Sequence, residues 1–152
     1  MVPHTQRAVR TATRRGPGAR TGSLGLKATT AEGLIRQVEA GFSFSSLRNF
    51  AERSGIPLAD IASVAGIAPR TLARRRNSGR FTWDESERLL RISAVFDQAV
   101  ELFEGDVAAA ANWLTTPQPA LARRTPLAYS RTEVGAGEVE SLIGRLEHGV
   151  FV

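Results

Sequence analysis

Three side chains near the middle of the chain have the types and the spacing to read nucleic acid bases. Arg70, Arg74 and Asn77 fall at i, i+4 and i+7, which brings them to one face of a helix. An arginine can donate two hydrogen bonds to O6 and N7 of guanine, and an asparagine can pair in the same bidentate way with N6 and N7 of adenine. Thr71, Arg75, Arg76 and Arg80 flank that face, where contact with phosphate is the expected role.

Such a trio works only if its helix is held in register. Residues 58–77, LADIASVAGIAPRTLARRRN, supply the means. A helix-turn-helix needs a small residue where its helices cross, a glycine four positions later and an apolar anchor six positions beyond that. Ala62, Gly66 and Leu72 occupy those places, with Ile61 and Ile67 as neighbouring core. Three residues after Leu72, where many such motifs carry another apolar side chain, this chain has Arg75, which is expected to turn outward. An arginine-rich, merely solvated helix is the competing reading. The glycine punctuation and the local charge favour DNA.

The surrounding chain reads as helices throughout, with no convincing strand. Thr29 and Glu32 fit a capping box ahead of Leu34, Ile35 and Val38. Helices are then expected from Ser43 to Gly55, from Pro57 to Gly66 and from Pro69 to about Asn77, with Gly79 as a stop. Thr82 and Glu85 form a second capping box before Leu89, Ile92, Phe96, Ala99, Val100 and Phe103, whose spacing predicts a long helix of about 30 Å ending at Gly105. Asp106 can cap the next helix, a short turn lies near Leu127, and a last helix is expected from about Gly137 to His148. Trp83 and Trp113 are expected to pack as structural anchors, and Thr132 and Glu133 to act at a helix start.

Charge divides the chain. Residues 1–30 carry six basic residues and no acid. Residues 31–83 carry eight arginines against four acids, whereas residues 84–152 carry six against eleven. A basic first part suits a polyanion, and the acidic second part suits a different partner. Residues 1–28 hold too few apolar side chains to offset the entropy of ordering and are expected to form a disordered basic tail. The expected division is this tail, a helix-turn-helix unit over 29–104 including the long helix, and a C-terminal unit over 105–152. With no cysteine, no long apolar run and only two distant histidines, neither a disulfide, a metal site, a membrane span nor a catalytic cluster is expected. The expectation is a cytoplasmic protein that is not an enzyme and needs no cofactor.

The end of the chain is apolar: Gly149, Val150, Phe151 and Val152 follow an amphipathic helix. Packing onto the core and docking onto a partner are both open on physical grounds. The strings AANWLTTPQPAL and TPLAYSRTEVGAGEVESLIGRLEHGVFV resemble the C-terminal toxin-binding domain of Xre/MbcA/ParS-type antitoxins, which shows a WL, a proline, a TPL, a TE-x-G and a terminal run close to R-[IL]-E-x-G-V. Here these are Trp113, Leu114, Pro117, Thr125, Pro126, Leu127, Thr132, Glu133, Gly135, Arg145, Leu146, Glu147, Gly149 and Val150. RTLARR and ESERLLRISAVFDQAVELF resemble the helix-turn-helix half of the same family, so the likeness spans about residues 29–152. Where the family often has glycines before TPL, this chain has Leu121, Ala122, Arg123 and Arg124, which is expected to alter that turn.

The resemblance implies an all-α fold, with an Xre/Cro-like helical cluster joined by a long helix to a small toxin-binding module. It implies a type II antitoxin that blocks the NAD pocket of a RES-domain toxin with its C-terminal segment and represses the shared operon. Arg145, Glu147, His148, Gly149, Val150, Phe151 and Val152 with its terminal carboxylate are then the residues expected to touch the toxin. A homodimer on two-fold operator DNA is expected as well. One alternative is a transcriptional regulator whose C-terminal module only dimerises; another is a toxin inhibitor whose helix-turn-helix no longer reads DNA.

Overall fold

The apolar repeat that follows Thr82 forms the central helix of the fold. In the computed structural model, which describes residues 22–149, the helices are α1 (Ala31–Ala40), α2 (Phe44–Ser54), α3 (Leu58–Val64), α4 (Pro69–Ser78), α5 (Trp83–Leu102), α6 (Val107–Leu114), α7 (Pro126–Tyr129) and α8 (Glu133–Glu147), with a 3-10 turn at Pro119–Leu121. Among the described residues no strand forms, and no helix is long and apolar enough to cross a membrane.

α5 begins at the predicted box. The Thr82 hydroxyl accepts from the Glu85 amide, and the Glu85 carboxylate accepts from the Thr82 amide at 2.9 Å. Its Leu89, Ile92, Val95, Phe96 and Ala99 are all buried, and Phe96 meets Phe50 of α2 edge-on at 5.3 Å. Burying each of the large side chains contributes roughly 1.5–3 kcal/mol. α5 packs against α1 and α3 on one side of the sequence and against α6 and α8 on the other. The core is therefore continuous from Leu24 to Ile143.

Four expectations are corrected. Order begins earlier than residue 29: Ser23 and Leu24 are buried, and the Arg53 guanidinium donates to the Gly22 carbonyl. Leu24 and Leu26 are the apolar anchors that the composition of 1–28 as a whole concealed; residues 1–21 lie outside the described ones. The α1 cap is Thr30, whose hydroxyl accepts from the Gly33 amide at 3.0 Å, and Glu32 pairs with Arg36 instead of closing a box with Thr29. Trp83 is not a buried anchor but stands 54% exposed, at the edge of a cleft where the first turn of α5 faces Leu34, Ile35 and Val38 of α1. α8 starts one turn before Gly137, with the Thr132 hydroxyl accepting from the Gly135 amide at 3.0 Å. Gly135 is required there, since a Cβ would lie 1.8 Å from the Tyr129 carbonyl oxygen.

One carboxyl on α5, beside Ser23, departs from its ordinary charge state. Burial pushes the Asp97 carboxyl up to about 7, and Glu101 adds to the effect, while Ser23 and Arg53 offset part of it.

Candidate nucleic-acid interface

α3 and α4 meet as the spacing requires. Ala62 and Ala65 are buried at the crossing, Gly66 takes a left-handed φ of +71°, and the Ile67 amide closes the turn on the Ala62 carbonyl at 2.9 Å. The guanidinium of Arg88 on α5 donates to the Ala65 carbonyl at 2.6 Å, which satisfies one of the acceptors left free at the end of α3. α4 opens with Pro69 at its first turn, buries Leu72 and stops at Gly79, whose amide bonds the Arg75 carbonyl at 2.7 Å. Its far end is sewn to the α1–α2 connection. The Phe44 amide donates to the Gly79 carbonyl at 2.8 Å, and the Phe81 amide to that of Phe42 at 2.8 Å.

The seven expected DNA contacts separate on this frame. Arg70, Arg74 and Asn77 are exposed, while Thr71 is half-buried beside them. Arg76 is exposed but lies over the Phe44 ring, 5.4 Å from its centroid, with Arg48 at 5.4 Å from the same ring. Arg80 donates to the Gly41 carbonyl at 2.6 Å. Arg75 corrects the expectation of an outward turn: it reaches inward, and its Nε lies 2.7 Å from Glu85 Oε1. Burial raises the Glu85 pKa, but the hydrogen bonds from Arg75 and Thr82 and the arginine charge outweigh it and hold the carboxyl below the ordinary range. Arg48 and Arg88 were not singled out from sequence. Nothing in their local spacing distinguishes them from surface arginines.

At the other end of the chain, Trp113 is half-buried and its ring lies 6.4 Å from that of Phe103, as an anchor should. The connection to α7 keeps a glycine-like path without glycine. Ala122 and Arg123 adopt φ of +54° and +60°, with the Arg123 amide bonded to the Gln118 carbonyl at 3.0 Å and Leu121 buried beneath. Thr125 then caps α7 through the Ala128 amide at 3.1 Å. In α8 Arg145 is half-buried, whereas Glu147, His148 and Gly149 are exposed, Gly149 with φ of +66°. Val150, Phe151 and Val152 lie outside the described residues.

Comparison with known proteins agrees with both halves. Residues 33–93 match the antitoxin Xre-like helix-turn-helix domain, and residues 98–149 match the antitoxin Xre/MbcA/ParS C-terminal toxin-binding domain. The first span ends and the second begins within α5. A protein of Yersinia enterocolitica named Antitoxin Xre is 45% identical over 129 residues, covering 84% of this chain and 87% of the relative. A second Antitoxin Xre, from Photorhabdus laumondii, is 47% identical over 92 residues, covering 60% of this chain and 62% of the relative.

Proposed function

The chain belongs to the Xre antitoxin family, a helix-turn-helix half joined to a toxin-binding half, and on that premise we propose that it silences a RES-domain, NAD-consuming toxin and represses the operon they share. The working division is a DNA-reading unit over 29–104 and a toxin-binding unit over 105–152, in the cytoplasm. Its role is binding and regulation rather than catalysis. Arg70, Arg74 and Asn77 contact bases, while Thr71, Arg76 and Arg80 face phosphate. Arg145, Glu147, His148 and Gly149, followed by Val150, Phe151 and Val152, enter the toxin and obstruct its active site.

One observation carries the reading: the three side chains able to read base edges are exposed together on α4, inside the span that matches an Xre-like helix-turn-helix. The acidic C-terminal part supports the second half of the reading, because it complements a basic nucleotide pocket. A homodimer is part of the same reading. Ile35 and Trp83, each more than half exposed, line one cleft between α1 and α5 and offer it apolar surface.

The test is co-purification with the product of the adjacent gene, followed by mass measurement and an assay of NAD loss. A stable complex in which NAD consumption is suppressed is expected. An adjacent product that neither binds the chain nor consumes NAD would overturn the assignment of the toxin.

A further inference from the structure

α4 is fastened unevenly. Its only buried side chain is Leu72, and its end is held by the backbone bond from Phe44 to Gly79. One apolar knob limits how far a short helix can slide, but it resists rotation about the helix axis poorly. Rotation matters, because at 100° per residue a small roll swings Arg74 and Asn77 away from the base edges they would meet. A second inward attachment is needed on the Leu72 side, and three residues on is where a helix provides it.

Arg75 occupies that position. Its Nε donates to Glu85 Oε1 at 2.7 Å, with side-chain exposures of only 20% and 7%. The carboxylate it meets is itself fixed: the same Oε1 accepts the Thr82 amide at 2.9 Å at the start of α5. Two donors converging on one oxygen at a helix N-terminus leave the carboxylate little freedom. We infer that Arg75 is a positioning residue for DNA reading: held by Glu85, it sets the roll of α4 against α5 and does not itself touch DNA. The inference rests on the DNA-reading role proposed for α4.

The two roles open to Arg75 predict opposite signs. If Arg75 bound phosphate, Glu85→Gln would remove a negative charge from a DNA-binding face and leave binding equal or tighter. Arg75→Gln would then lower the slope of log affinity against log salt by about 0.9. If Arg75 positions α4, both substitutions weaken recognition and leave the slope unchanged. Non-specific binding, which depends on charge, should also survive a misrolled helix.

The experiment measures binding to a duplex from immediately upstream of the protein's own gene and to a random duplex, across a salt series, well below the melting temperature. Expected is a fall of about tenfold or more in the specific-to-random ratio for E85Q and for R75Q, no further fall in the double variant, and unchanged salt slopes. R75K guards against misfolding of the others. It keeps the charge a phosphate would need but loses the Nε geometry, so its ratio should also fall. Wild-type ratios in E85Q or R75K, or a reduced slope in R75Q, would overturn the inference. Arg70→Ala/Arg74→Ala tests the underlying reading separately: its loss of upstream binding upholds that reading whatever E85Q does, and a wild-type protein that cannot tell the two duplexes apart overturns both.

Discussion

α4 and the last turn of α8 both present polar side chains to solvent, yet they are built to different tolerances. α4 is fixed at its core face by Leu72 and Arg75 and at its end by Phe44 and Gly79. The end of α8 is held by the partial burial of Leu146 against the core and by its own backbone: the His148 amide bonds Gly144 and the Gly149 amide bonds Leu146, both at 3.2 Å. Among the described residues, no side-chain hydrogen bond ties Arg145, Glu147 or His148 to the rest of the molecule. Base reading demands a preset orientation, since a bidentate pair is lost over small displacements. An end that enters a partner's pocket can take its final shape from that pocket.

The strongest way to break this comparison is to remove the residues that follow His148. A chain ending at His148 is expected to lose toxin neutralisation while keeping operator binding, read by growth rescue on co-expression and by gel retardation. Full neutralisation by the truncated chain would mean that the end only packs. Next in size, Arg70→Ala/Arg74→Ala is expected to cost roughly 2–6 kcal/mol of operator affinity, about 1–3 for each bidentate pair, with neutralisation untouched. Loss of both activities together would show that the two faces are not separable.

Two smaller effects sharpen the contrast in how each half is held. Folded Asp97 keeps its proton up to about pH 7, whereas an unfolded aspartate releases it near pH 4, at about 3.9. The stability linked to this group is therefore complete in acid and lost as pH rises through neutrality. Asp97→Asn should stabilise the chain relative to wild type by roughly 1–2 kcal/mol at pH 8, allowing for solvent around a partly exposed group, and by little at pH 4. Thermal unfolding at the two pH values checks this, and equal shifts at both would refute it. The smallest expected effect lies in the other half. Ala122→Gly should add about 1 kcal/mol by relieving a left-handed alanine, with no dependence on pH. Denaturant unfolding that shows a loss instead would mean that the Ala122 methyl contributes more by packing than its φ costs.

Much of the frame was legible from spacing. Ala62, Gly66 and Leu72 placed the helix-turn-helix, Thr82 and Glu85 placed the start of α5, and Asp106 capped α6 as expected, its carboxylate accepting from the Ala109 amide at 3.0 Å. The shared exposure of Arg70, Arg74 and Asn77 came with them, because helical periodicity alone decides which residues share the face of α4. What spacing could not decide was the direction of an arginine. Whether Arg75 faces solvent or core depends on a carboxylate ten residues away, and no local pattern encodes that meeting. The segment 22–28 was missed because two leucines were averaged into a tail of Arg, Thr and Gly. At Leu121 to Arg124 the sequence pointed to an altered turn, but the left-handed backbone of Ala122 and Arg123 could not be read, because it is normally announced by glycine and here it is not.

The unbroken core along α5 has a consequence for how variation in this chain can be sorted. Because the halves share buried side chains rather than owning them separately, damage beneath either surface spreads to both. On the proposed function, substitutions at Leu89, Ile92 or Phe96 are expected to register as simultaneous loss of DNA binding and of neutralisation, whatever their position relative to either partner. Only changes confined to solvent-facing side chains can divide one activity from the other.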